Sequence, residues 1–415
     1  MKKLVKFMDR KISYFLILPA IVFILLFSII PIFQSLKYAF YDFQLNDQEK
    51  SGLYTSSNYN LALYSETFEY IKYYLDIEES LVQKSESFSQ IDLIRDELTS
   101  YENYINNNII TNNLSSVVKL DEEQSLYVLN MKDKIISDLE TLYSYDDSYY
   151  SKEDMMAVAS ELETSIISSN FIGLNNFKKV ITDERVRFTM GITLIFTFIS
   201  VFFELILGLI LALIMNQAIR GRGMIRTVSL IPWAIPTTVS ALMWSYLYNG
   251  SSGIVSNAFA AANLISDPTQ LLLSARGALT AIIIADVWKT TPYMALLLLA
   301  GLQVISHSLY ESSSLDGASK YQQFRYITLP LLKPSIFVAL LFRTLDAFRV
   351  FDLIYVLTGG GPGGTTESIS VYAYKVMFAQ TRFGYGSAMV IIMAIAVGII
   401  SYVYIKLLNV QLVND

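Results

Sequence analysis

The chain has 415 residues, 53% hydrophobic and 16% charged, with a formal net charge of −6. A soluble globular chain carries about 25% charged residues, and the apolar excess here falls in long runs, the mark of a membrane protein. With no cysteine and one histidine, His307, the chain offers no disulfide, no thiolate metal site and no His-rich metal cluster or relay.

Six runs are long enough to cross a bilayer: 12–36, 188–215, 227–248, 278–302, 335–357 and 387–408. About 20 residues at 1.5 Å rise each span about 30 Å of hydrocarbon. The first run follows Lys2, Lys3, Lys6, Arg10 and Lys11. It is too long for a signal sequence and lacks a small-residue cleavage pattern, so it reads as a retained anchor. The fold class expected is an all-α membrane protein of six transmembrane helices, with a large helical insert between helices 1 and 2.

That insert, residues 44–170, is rich in Asn, Ser, Tyr, Asp and Glu. It holds 24 acidic and 8 basic residues, net −16, which leaves +10 for the rest of the chain. Basic residues gather at the N-terminus, at Arg220, Arg222 and Arg226, at Lys320, Arg325 and Lys333, and at Lys406. By the positive-inside rule these places, and both termini, face the cytoplasm, and the insert lies outside. Leucine, isoleucine and tyrosine recur at three- and four-residue spacing in 68–82, 91–109 and 123–142, which predicts a small extracytoplasmic helical bundle. Two roles stay open for it: a docking surface for an external solute-binding protein, or a rigid lid. An acidic face can also be simply solvated.

In the spans, charges cost about 2.5–3.5 kcal/mol each at the bilayer centre, so each one is a candidate functional group. Glu204 is in the second span, and Asp286 and Lys289 are in the fourth, beside Trp288, Thr290 and Tyr293. Arg343, Asp346, Arg349 and Asp352 follow at three-residue steps in the fifth. Carboxylate, guanidinium and tyrosine around a wet cavity supply hydrogen-bonding and stacking groups for a polar ligand. The competing reading is that neighbours such as Arg343 and Asp346 merely neutralise each other. Pro232 and Pro236 break the third span and free carbonyls there.

Between the fourth and fifth spans stands ESSSLDGASKYQQFRYITLP, residues 311–330. Ser308 with Glu311, and Ser319 with Gln322, read as capping boxes opening two short helices. The first would stop at Gly317 and the second before Pro330. Leu309, Tyr310, Leu315, Tyr321, Phe324 and Ile327 are too many apolar groups for a free loop, which suggests a partner's groove. A loop that only caps the bundle is the alternative. Gly359–Gly364 reads as an external turn; no GK follows, so a phosphate cradle is not expected, and no P-loop occurs elsewhere.

The 311–330 stretch resembles the EAA loop of permease subunits in binding-protein-dependent ABC importers, E-A-A-x-x-D-G-A followed by F and I-x-L-P. Glu311, Asp316, Gly317, Ala318, Phe324, Ile327, Leu329 and Pro330 match. Ser312 and Ser313 stand in place of alanines, and Ser306 in place of an upstream proline. FIGLNNF (171–177), RGRGMIRTVSLIPWAIP (220–236) and FDLIYVLTGGGPGGTTES (351–368) resemble carbohydrate-uptake permeases of the maltose/trehalose branch.

The resemblance implies three regions: residues 1–43 with the first span, the insert 44–170, and a permease core 171–415 with a cytoplasmic coupling loop at 306–330. It implies that the loop docks on a separate cytoplasmic ATPase. Pocket-lining places would be Asp286, Thr290 and Tyr293, with Arg343, Asp346, Ala347 and Val350 in the fifth span. Partners would be a second homologous permease subunit, two ABC ATPase subunits, an extracytoplasmic sugar-binding protein, membrane lipid and an oligosaccharide, with no nucleic acid. The chain would be a multi-pass protein of the cell membrane. It would catalyse no covalent chemistry and bind no cofactor or metal; ATP would be hydrolysed by its partner. Two rivals remain: an ion-driven secondary sugar carrier with Glu204 as a lone proton site, and a membrane receptor sensing a ligand through the insert.

Overall fold

A computed structural model describes residues 17–110, 117–145, 149–217 and 221–412. The basic N-terminal residues, the first residues of the first span and Arg220 lie outside the described residues. Two compact units emerge: residues up to Asn176 with Thr381–Gly384, and Phe177–Gln380 with the chain from Tyr385 onward.

In the first unit, α1 (Ile17–Tyr38) is apolar and long enough to cross a membrane. The insert folds as four helices, α2 (Leu61–Leu81), α3 (Ser85–Asn108), α4 (Glu122–Ser144) and α5 (Lys152–Ser160). Three of these match the periodic stretches of the sequence, extended to their caps. Asn60 accepts from the Leu63 amide at 3.2 Å to open α2. Asp121 and Gln124 close a reciprocal capping box at the start of α4.

The heptad-like apolar positions Phe68, Ile71 and Leu75 of α2 meet Ile91, Ile94 and Leu98 of α3 and Met131, Ile135 and Leu139 of α4 in one core. Glu78 falls on that buried face, yet its carboxylate accepts from the amides of Ser151 at 2.6 Å and Tyr150 at 3.3 Å, at the start of α5. Thus it is satisfied rather than stranded.

A three-stranded sheet was not foreseen. β1 (Asn58–Asn60) lies centrally between β2 (Val117–Lys119) and β3 (Ile166–Ile167), antiparallel to both. Strands this short, two or three residues, leave no alternation to read in sequence. Their effect is to bring the entry and exit of the insert side by side. Asn170 completes that closure, accepting from the Tyr54 amide at 2.9 Å and donating to Gly52 O at 2.8 Å.

The second unit is a helical bundle. Across the described residues, α1 and four later helices are long and apolar enough to span: α6 (Glu184–Asn216), α9 (Ala275–Val304), α11 (Lys320–Phe348) and α13 (Phe383–Leu412). α7 (Arg222–Ala234) and α8 (Thr237–Leu247) pass the same test only as a pair, bent by 88° at the break. Pro236, which has no N–H to continue the ladder, stands at that break.

The span expected at 335–357 is also different. α11 ends at Phe348, and a new helix, α12 (Asp352–Leu357), begins after an irregular link. The three-residue steps from Arg343 to Asp352 therefore do not lie on one continuous helix. In the loop before it, α10 (His307–Leu315) is capped by Ser306, not Ser308. The Ser319–Gln322 capping box is present, at the first turn of α11.

Pro330 does not stop that helix. A π turn at Phe324–Thr328 widens the ladder just before it, with Leu329 N–H bonding to Phe324 O, and the helix runs on. Widening moves the bond pattern past the residue that cannot donate.

Candidate functional site

Glycines at two helix crossings bring three spans together. A Cβ on Gly208 of α6 would lie 2.7 Å from Met294 Cγ of α9, and one on Gly301 of α9 would lie 2.2 Å from Ser335 Oγ of α11. At each crossing the missing side chain leaves room for one from the facing helix. The result is that Glu204 (α6), Asp286 and Thr290 (α9) and Arg343 (α11) converge.

Arg343 is 1% exposed and Glu204 0%. The guanidinium grips Glu204 in a fork, through Nε and through Nη2 at 2.9 Å to Oε1. Nη2 also donates to Asp286, and Nη1 to Asp346 Oδ2 at 2.9 Å. The Thr290 hydroxyl lies 2.7 Å from Glu204 Oε1 and 2.6 Å from Asp286 O. This is a bidentate, charge-assisted contact of the strongest kind, and it uses arginine's fixed fork. Glu204 is therefore ion-paired, not the lone carboxylate that the ion-driven reading assumed.

The cluster forms the floor of a cavity of about 470 Å³. One wall is the bend between α7 and α8, from Trp233 to Thr237. The other is the link from α11 to α12, with Arg349, Val350 and Asp352. Lys289 holds the bend: its ammonium donates to Ile235 O at 2.6 Å and reaches Trp233 O at 3.4 Å. Those carbonyls are the unpaired C-terminal end of α7, where a cation is favoured.

Of the residues expected to bind substrate, Asp286, Thr290, Arg343, Asp346, Ala347 and Val350 line this cavity. Tyr293 does not; its ring stacks on Trp233, centroids 5.5 Å apart and planes 13° apart, and so backs the wall. Sequence reasoning did not assign Trp233 to the site, but it did read the break at Pro232 and Pro236 as freeing carbonyls that could line a cavity. The two prolines carried that signal, since a broken span inside protein exposes carbonyls to a cavity.

In the loop, Gly317 adopts φ +81°, and Asp316, Gly317 and Ala318 form the turn closing α10. Glu311, Asp316, Gly317 and Pro330 are exposed, Ala318, Phe324 and Leu329 half-buried. Leu315, Tyr321 and Tyr326 are large apolar groups 90%, 74% and 74% exposed. His307 is exposed beside them.

Elsewhere, Gly359, Gly360, Gly363 and Gly364 all take positive φ. Near that turn, buried Glu367 accepts from both Arg185 Nη2 at 2.7 Å and Lys375 at 2.7 Å, and Lys375 also donates to Gly359 O at 2.6 Å.

Residues 204–412 match the family described as binding-protein-dependent transport system inner membrane component. The chain belongs to this family. It is 47% identical over 243 residues to the trehalose/maltose transport system permease protein MalF of Thermococcus litoralis, covering 59% of this chain and 81% of that protein. It is 41% identical over 237 residues to the trehalose transport system permease protein SugA of Mycobacterium tuberculosis, covering 57% and 75%.

Among solved structures, it is similar to a bacterial ABC transporter involved in the import of the acidic polysaccharide alginate. There the TM-score is 0.52 at 26% identity, over 57% of this chain and 84% of that one. Membership makes this chain a multi-pass membrane protein, a transport component like its relatives. The family region begins at Glu204, so the cavity and the loop lie within it and the insert does not.

Proposed function

We propose that this chain is one permease subunit of an ABC importer that takes up oligosaccharides delivered by an extracytoplasmic binding protein. A separate ATPase would drive it through the loop 306–330. The observation that carries this reading is that loop: a short helix joined through a left-handed glycine to the first turn of α11, leaving Leu315, Tyr321 and Tyr326 exposed, inside the family-matched region. Large apolar groups left exposed at a chain turn call for a partner's surface.

ATP would be bound and hydrolysed by the partner, and this chain would hold no cofactor. The six-span topology follows if the bent pair α7–α8 counts as one span, with both termini in the cytoplasm and the −16 insert outside. A second permease subunit would complete the path, and the cavity floored by Arg343 would receive the sugar from Asp286, Thr290 and the acidic rim at Asp346.

Two experiments test this. Gly317→Trp puts a side chain where the backbone is left-handed, a cost of about 1–2 kcal/mol concentrated in the loop. In the reconstituted complex it should cut binding-protein-stimulated ATP hydrolysis at least tenfold while assembly is kept; full stimulation would remove the coupling role. For topology, the chain has no cysteine, so Tyr150→Cys, at a site 83% exposed, supplies a unique label. It should react with a membrane-impermeant thiol reagent on intact cells, and labelling only after lysis would invert the orientation.

A further inference from the structure

The loop encloses a polar side chain, Gln323, that neither the family resemblance nor the exposed docking face accounts for. Gln323 is 4% exposed. Its amide nitrogen donates toward Ser314 Oγ at 2.8 Å, Ser313 Oγ at 3.1 Å and Tyr310 O at 3.1 Å. The two hydroxyls in turn donate to Tyr310 O, at 2.7 Å from Ser314 and 2.9 Å from Ser313. The donor count closes: the serine oxygens accept from the amide and pass their own hydrogens to the carbonyl. Lys320 donates to the other end of the amide, Oε1, at 3.2 Å. Serines at 313 and 314 are what make this possible, since alanines there would give the amide only the carbonyl.

This contact joins α10 to the first turn of α11 across a turn that does little joining itself. A Cβ on Gly317 would meet nothing within 4 Å, so the turn is not packed against its surroundings. A second tie runs beside the first, from Tyr310 Oη to Thr328 Oγ1 at 2.9 Å. The Thr328 hydroxyl is also 3.4 Å from Gln323 O, bridging the π turn. From Lys320 the helix runs unbroken to Phe348, so Gln323 and Arg343 are on one rod, about 30 Å apart at 1.5 Å per residue.

We propose that Gln323 is the positioning residue that fixes α10 to the foot of α11. A displacement imposed on α10 then moves Arg343 and its hold on Glu204 and Asp286 instead of being lost by swivelling at Gly317. This inference rests on the coupling role given to the loop above. A buried glutamine with only a structural role would change the stability of the complex. A positioning role changes how much substrate moves for each ATP consumed.

The test uses the complete reconstituted complex with binding protein, reading uptake per ATP hydrolysed. Gln323→Leu keeps the bulk and removes the amide. Assembly and basal hydrolysis should be kept and uptake per ATP should fall about tenfold, the size expected from losing two hydrogen bonds. The pair Gln323→Cys with Ser314→Cys, joined by a short bis-thiosulfonate bridge, should couple normally while bridged and lose coupling on reduction. That comparison also decides the matter if Gln323→Leu does not assemble. Equal uptake per ATP in the bridged and reduced forms overturns the proposal. If Gly317→Trp uncouples while Gln323→Leu does not, the tie is wrong and the coupling loop stands; if neither variant uncouples, the coupling role itself fails.

Discussion

The insert and the bundle solve the same packing problem in opposite ways. In the insert, apolar side chains such as Phe68, Ile71 and Ile91 are inside, and the charge of −16 is spread mainly over the surface. In the bundle, Phe198, Phe202 and Leu242 face outward at half to three-quarters exposure, while Arg343, Glu204 and Asp286 are enclosed. Water drives the first arrangement by the hydrophobic effect. In the second, an apolar surround removes any gain from hiding Phe198, and an enclosed charge must find its counter-charge within the protein. Both regions have a buried apolar core; they differ in what lies outside it and in the charges the bundle encloses.

The largest predicted effect breaks the enclosed charges. Arg343→Leu leaves Glu204 and Asp286 buried without their cation, a loss of about 3–5 kcal/mol. Transport should vanish and the bundle's melting temperature should drop. The matching change in the insert, Phe68→Ala, opens a cavity costing about 3–5 kcal/mol, but its loss should be confined to that unit. Hydrogen exchange on the full-length protein should show faster opening of α2–α4 with the amides of α9 and α11 unchanged. Equal loosening in both would deny that the units are separate cores.

A smaller effect sharpens the contrast through pH. Burial, and then Asp138 beside it, raise the Glu97 carboxyl above its ordinary value, although Lys134 lies 3.5 Å away. A raised acid favours the folded state while protonated. Its contribution to stability is greatest below the ordinary carboxylate range and is lost as pH rises through the folded value. Protection in α3 and α4 should therefore decline slightly from pH 4 to neutrality, after correction for intrinsic exchange, and Glu97→Gln should flatten that slope. A slope untouched by the substitution would place its origin elsewhere.

Much of this was legible in the chain itself. Long apolar runs located the spans, and periodic Leu, Ile and Tyr located three insert helices. Asp286 was readable as a candidate because intramembrane charge is costly, and Thr290 only through the family resemblance. What was hidden has a physical reason in each case. The two- and three-residue strands carry no periodicity. The cap at Ser306 competed with an equally good sequence match at Ser308. A proline that normally ends a helix at 330 was absorbed by a π turn one step earlier. The pairing of Glu204 with Arg343 joins residues 139 apart in sequence. It is set by two glycine crossings that no local pattern announces.

The central claim is that this membrane chain works only when a separate ATPase drives it. The direct measurement is radiolabelled sugar uptake into proteoliposomes holding this chain and its partner permease, with binding protein on the side facing the insert. ATP is enclosed, and the ATPase subunits are present or omitted. The account predicts uptake only with the ATPase and ATP together. Accumulation without the ATPase, driven by an ion gradient, would contradict it.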